Sequence, residues 1–127
     1  MPPTSVVFFQ DDDGTAPVAI WLAELRRVEP RAFAKCVVRL ERLRTLGHEL
    51  RRPEADTLRH GIHELRARLG HVNYRMLYFI HRRVVAVLVH ALVKEDVVPD
   101  ADIDLAVARK NAFSRDPEGH TFHGPMP

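Results

Sequence analysis

Between Arg59 and Arg83 the chain carries six arginines (Arg59, Arg66, Arg68, Arg75, Arg82 and Arg83) against one acid, Glu64. A guanidinium is a rigid fork of donors that matches two oxygens of a phosphate or carboxylate. The chemistry such a segment suits is the capture of an anion. Arg66 and Arg75 are the sharpest pair. If Gly70-His71 turns one strand into an antiparallel neighbour, paired positions sum to about 141, which sets Arg66 opposite Arg75. Both could then project from one face and grip a single phosphate. The competing reading is structural: each arginine pairs with Glu64 or another acid in a network.

Other residues offer proton chemistry. His60 and His63 flank Gly61, and an imidazole that titrates near neutrality can act as a base. Lys94 closes the last predicted strand, a place where lysine is ordinarily just solvated. His90 lies on the same strand face, but four residues of strand separate the two by roughly 13 Å, too far for one phosphate. A half-buried, hydrogen-bonded role also fits His90. His120 and His123 are only a weak metal-like pair, in a segment rich in Gly and Pro. Arg31, Lys35, Arg39 and Arg42 form a basic stripe on one side of a predicted helix. Such a stripe is commonly solvated, and it is also a surface for RNA or an acidic partner. Cys36 is the single cysteine. It cannot make an internal disulfide, and its apolar neighbours suit a core thiol in a reducing compartment.

The elements that must position these groups follow from periodicity. Val6–Phe9 reads as a short strand, stopped by Asp11-Asp12-Asp13-Gly14. Thr15 is a candidate helix cap, with Pro17 in the first turn. Val18, Trp21, Leu22, Leu25 and Val28 then recur at helical spacing up to Glu29-Pro30. A second helix carries Phe33, Cys36, Val37, Leu40, Leu43 and Leu46, and Gly47 ends it. Residues 48–60 read as a loop long enough to hold a short helical turn or to be functional. Ile62–Leu69, Val72–Arg82 and Val84–Val93 are three strands in a row, hence an antiparallel meander. Apolar residues on both sides of the middle strand mean that both sheet faces are covered. Pro99 to Arg115 reads as a last helix, with Asp100 and Asp102 at the positive end of its dipole. The expected fold is α+β: a small, mainly antiparallel sheet with an N-terminal helix hairpin packed on it and a C-terminal helix. Residues 1–115 form the domain, and residues 116–127 are expected as a flexible tail.

Composition sets the bounds. The 127 residues are 46% hydrophobic, which suits one packed domain. The net charge is only +2, so overall charge does not announce a nucleic-acid binder. The distribution is more informative, because the basic segment is followed by five acids and no base from Glu95 to Asp104. No apolar run approaches the roughly 18 to 20 residues of a membrane helix. The N-terminus lacks the basic start and apolar stretch of a signal peptide. A cytoplasmic location is expected.

Four strings, in this order, resemble the RelE/ParE superfamily of toxin–antitoxin toxins, and within it the HigB-like, phage-derived branch. Pro17-Val18 with Trp21-Leu22 and Leu25 resembles that branch's first helix. Leu58 and Gly61-Ile62-His63-Glu64-Leu65-Arg66 resemble its "gly-leu-tyr-glu-leu-arg" strand. Tyr74-Arg75-Met76-Leu77-Tyr78-Phe79 resembles its "tyr-arg-(apolar)-(apolar)-tyr-phe" strand. His90-Ala91-Leu92-Val93-Lys94 resembles its "his-gly-phe-x-lys" strand end. The likeness covers roughly residues 5 to 115.

The resemblance implies a compact RelE-like domain that needs no metal or other cofactor. It implies an endoribonuclease that cuts mRNA on the ribosome, silenced by a cognate helix-turn-helix antitoxin, with no membrane involvement. Metal-free RNA cleavage needs a proton taken from the 2′-hydroxyl, a stabilised pentavalent phosphate and a proton given to the 5′-oxygen. On this reading Arg66, Arg75, Lys94 and His63 are the catalytic candidates, although His63 stands where the branch has tyrosine. Arg59, Arg68, Arg82, Arg83 and His90 are the candidates for RNA binding. One departure counts against cleavage. After the strand-end lysine the family is basic, whereas here Lys94 is followed by Glu95-Asp96-Val97-Val98-Pro99-Asp100. Acids beside a phosphate site weaken RNA affinity. The alternatives are a ParE-like toxin that blocks DNA gyrase without cutting RNA, and a catalytically silent antitoxin-binding protein.

Overall fold

The structure is a computed structural model and describes residues 4–93 and 96–127. Five strands form one sheet: β1 (Ser5–Phe8), β2 (Ala55–Thr57), β3 (His63–Leu69), β4 (Val72–His81) and β5 (Val85–Val93). Their spatial order is β1-β5-β4-β3-β2, with β1 parallel to β5 and the other pairs antiparallel. Three helices complete the fold: α1 (Pro17–Val28), α2 (Pro30–Leu46) and α3 (Asp100–Arg115).

Local chemistry accounts for most boundaries. Pro17 and Pro30 open α1 and α2, where a missing N–H costs nothing. Glu29 precedes Pro30, so it is excluded from helical geometry and ends α1. Gly47 ends α2 with φ +54°, and an added Cβ would sit 2.1 Å from Thr4 Oγ1. Glycine is therefore required where β1 enters alongside α2. Thr15 is not the cap of α1. That position belongs to Ala16, and the Thr15 backbone N–H bonds Asp13 Oδ1 at 2.9 Å.

The two faces of the sheet carry separate cores. The α1–α2 hairpin covers one face, where Leu22, Cys36 and Leu43 pack on Leu65, Met76, Tyr78 and Leu88. Helix α3 covers part of the other face, where Ile103, Ala106 and Phe113 pack on Leu77, Phe79, Val87 and Val89. Each fully buried side chain of this size contributes about 1.5–3 kcal/mol of burial free energy. A bulge in the β4–β5 pairing sets Leu77 opposite His90 but Tyr78 opposite Leu88. The extra residue shifts the alternation of β5, so that Leu92 joins Val87 and Val89 in the α3 core while Ala91 packs in the other.

Two segments differ from the sequence reading. The segment after α2 holds a short helical turn of the kind its length allows, a 3-10 turn at Gly47–Glu49, but it also contains β2, an edge strand of three residues that was not expected. Residues 116–127, expected as a tail, run back beside β1. The Phe122 N–H bonds Phe8 O at 2.8 Å, and the Gln10 N–H bonds His120 O at 2.9 Å.

Candidate anion-binding site

The β3–β4 register sets Arg66 opposite Arg75, Glu64 opposite Leu77 and Arg68 opposite Asn73. Side chains alternate along a strand, so Glu64, Arg66, Arg68, Asn73 and Arg75 share the face on which α3 packs. The α3 core occupies Leu77, Phe79 and β5 and stops short of this end. What remains is a concavity of about 590 Å³ lined by Arg39, Pro53, Arg66, Arg68, Asn73, Arg75, Asp96 and Val97.

Glu64 is the centre of this arrangement. Its residue is 1% exposed, and Arg75 is 6% exposed. Arg75 Nη1 donates to Glu64 Oε2 at 2.6 Å, and Arg75 Nη2 donates to Asp96 O at 2.6 Å. Arg66 reaches the other carboxylate oxygen, with Nε donating to Oε1 at 3.0 Å and Nη2 to the same atom. A buried carboxylate thus holds two guanidiniums, one per oxygen. A charge this buried requires such partners, because desolvating it alone costs several kcal/mol.

Two further arginines stand around the concavity. Arg39 crosses from α2 at the sheet edge, where β2 has ended, and its Nε donates to Arg66 O at 2.9 Å. It also lies 3.5 Å from Glu54. Arg68 Nε donates to Gly70 O at 2.8 Å. Glu64 lies beneath these arginines and Asp96 at the rim, while Glu54 beside Arg39 and Asp56 near Arg66 add further carboxylates at the sheet edge. The Arg66 side chain is 34% exposed, and its Nη1 has no hydrogen-bond partner among the described residues. A partly buried, pre-oriented guanidinium that lines an open hollow is suited to an anionic oxygen.

The other sequence candidates lie elsewhere. His63 is three residues from Arg66, and alternation puts it on the hairpin face. Its ring stacks on Tyr78 at 5.3 Å, and its Nδ1 lies 3.1 Å from Thr57 Oγ1. It borders a separate cleft of about 610 Å³ with His48, Arg51, Arg52 and Ile80. Burial, then the charges of Lys110 and Arg51, hold the His63 imidazole below its ordinary pKa. Arg59 is engaged by α3, 3.0 Å from Asp104 and 3.3 Å from Asp100. His90 is clasped by the same helix, with Nε2 2.6 Å from Asp102 Oδ1 and Nδ1 3.4 Å from Arg109. These contacts fit the structural role for His90. Arg82 and Arg83 form the β4–β5 turn, at the opposite end of β4 from the β3–β4 turn. Lys94 lies outside the described residues. His120 pairs with Asp12 at 3.1 Å. Among the described residues no group of three or more His, Cys, Asp or Glu could hold a metal ion.

The sequence offers Glu64 only as a partner in the competing reading, and places Arg39 in a stripe that is either solvated or a surface for RNA or an acidic partner. Glu64 was findable, because it lies two residues from Arg66 and hence on the same face. Arg39 was not, because its place depends on how α2 crosses the sheet edge.

A family model matches residues 23–111, that of the phage-derived protein Gp49-like family (DUF891). The match covers well over half of the 127 residues. The chain belongs to this family, a type II toxin family related to the RelE-like toxins, and membership implies an antitoxin partner. No curated protein matches the chain. No helix among the described residues is long and apolar enough to cross a membrane.

Proposed function

We propose, from membership of a type II toxin family and from the arginine site on its sheet, that this chain acts on RNA. It is a toxin of the HigB-like branch that cuts mRNA on the ribosome and so arrests translation in the cytoplasm. A helix-turn-helix antitoxin silences it. The observation that carries this reading is the pairing of Arg66 with Arg75 across adjacent strands, both oriented by buried Glu64 beneath an open hollow.

The hollow takes a backbone phosphate. The 2′-hydroxyl loses its proton, its oxygen attacks phosphorus, and the bond to the 5′-oxygen breaks as that oxygen gains a proton. A 2′,3′-cyclic phosphate and a free 5′-hydroxyl remain. Arg66 meets the charge that grows on the non-bridging oxygens, which is where fixed donors accelerate phosphoryl chemistry. Arg75, tied to Glu64 and to the Asp96 carbonyl, positions Arg66 and the strand pair. Arg39 and Arg68 extend the positive field along the bound strand. His63 faces the opposite side of the sheet from Arg66, so we assign proton transfer to Lys94, which follows β5 directly in sequence.

A second reading has one observation in its favour. Asp96 borders the hollow, and acid at that rim disfavours RNA. A ParE-like toxin that blocks DNA gyrase, or a silent antitoxin-binding protein, has no need to bind RNA there. Expression of the chain followed by mapping of transcript ends separates these readings. New 5′-hydroxyl ends within translated mRNA are expected. Intact transcripts in growth-arrested cells, with gyrase supercoiling inhibited by the purified protein, would establish the second reading instead.

A further inference from the structure

The turn between β4 and β5 is closed by a Val84 N–H···O His81 bond of 3.2 Å. Its two central residues, Arg82 and Arg83, have φ of +52° and +67°. Positive φ at both central positions is the requirement of a type I′ turn, which Asn-Gly meets cheaply and a long side chain does not. Both residues here are arginine.

Their surroundings are equally unusual. Many arginines elsewhere are tied down, Arg27 to Glu24, Arg42 to Glu54, Arg44 to Glu41, Arg52 to Asp56 and Arg59 to Asp104, although Arg115 is also exposed with no side-chain partner among the described residues. Arg82 and Arg83 are exposed, and their side chains make no hydrogen bond or ion pair with any described residue. Two adjacent, unneutralised guanidiniums thus sit on a strained hairpin tip, beside the exposed apolar Val84. No polar contact among the described residues offsets that strain, and strain retained without such compensation points to an external role.

We infer that this hairpin tip is a second, separate contact for the phosphate backbone of RNA. The inference rests on the proposed action on RNA and extends it. The tip stands about 23 Å along β4 from Arg75, seven residues at strand rise. It therefore engages RNA distant from the phosphate held at Arg66, and it supplies affinity and orientation with no part in bond cleavage. Because backbone contacts release counterions, each lost guanidinium lowers the salt dependence of binding.

The test measures binding of a short fluorescein-labelled single-stranded RNA of mixed sequence by anisotropy over a range of salt, together with thermal unfolding. The turn-optimised variant R82N/R83G should melt a few degrees higher than the wild type, on the order of 3–6 °C. It should bind RNA about tenfold more weakly, with a log–log salt slope shallower by roughly 1.4. R82K/R83K keeps the charge and should keep most of the affinity. R66A is measured in parallel and reports on the Arg66 site alone. If R82N/R83G is more stable yet binds with unchanged affinity and slope while R66A binds weakly, the tip contact is refuted and the action on RNA stands. If R66A leaves binding unchanged while R82N/R83G abolishes it, the tip contact stands and the Arg66 site falls.

Discussion

Arg75 Nη1 lies 2.6 Å from Glu64 Oε2, in an ion pair whose side chains are 8% and 2% exposed. The pair reconciles the two readings that the sequence left open. Arg75 is neutralised by a carboxylate, as the structural alternative required, yet the same carboxylate aligns Arg66 beneath an open hollow. One oxygen serves each guanidinium, so the network holds the site in place without closing it.

The pair should be strongly coupled. Glu64→Ala leaves Arg75 buried without its counter-charge and should cost about 3–5 kcal/mol in urea unfolding. Adding Arg75→Met to Glu64→Ala should restore part of that loss, because the orphaned charge is then gone. Additive single-site costs would mean that the two side chains do not interact.

His63 gives a pH dependence of stability. Burial and the nearby charges of Lys110 and Arg51 lower its folded pKa below the ordinary 6.5. Between the folded value and 6.5 the unfolded chain binds the extra proton, so stability rises with pH across that window. Acidification from pH 7.5 should therefore destabilise the wild type as the pH falls below 6.5. His63→Gln should lose less stability over the same range. Identical pH profiles for the two proteins would contradict a half-buried imidazole whose charged form is disfavoured in the fold.

Cys36 is fully buried against the helix hairpin core, and burial pushes its thiol up to about 12. The thiolate is the reactive form. The native protein at neutral pH should react with a chromogenic disulfide only as fast as it unfolds, and urea should release one thiol per chain. Rapid reaction without denaturant would mean that the hairpin does not cover this residue.

The legibility of the fold varied with length and spacing. The β3–β4 hairpin could be read to the residue, because Gly70-His71 fixes a short turn and a short turn fixes the register. Arg66 opposite Arg75 followed from that alone. β2 could not be read, since three residues at an edge leave no alternation to detect. The site was half legible. Strand parity already put His63 and Arg66 on opposite faces, but likeness to a family strand drew attention to position 63 instead. The arginines of the basic segment looked like one group in sequence. In three dimensions Arg66, Arg68 and Arg75 gather at one end of the sheet, Arg82 and Arg83 cap the other, and Arg59 is spent on α3. The contacts of residues 116–127 with β1 depend on backbone pairing that glycine- and proline-rich sequence does not advertise.

The most direct test follows the Arg66 guanidinium itself. The protein is labelled with 15N at arginine, and the Nε–Hε resonances are recorded during titration with an RNA carrying 2′-O-methyl groups, which cannot be cleaved. Assignments come from Arg66→Lys and Arg75→Lys. Saturable shifts of Arg66, reduced by added salt, are the predicted result. An Arg66 resonance that stays fixed while the RNA binds elsewhere on the protein would contradict a phosphate site on this sheet.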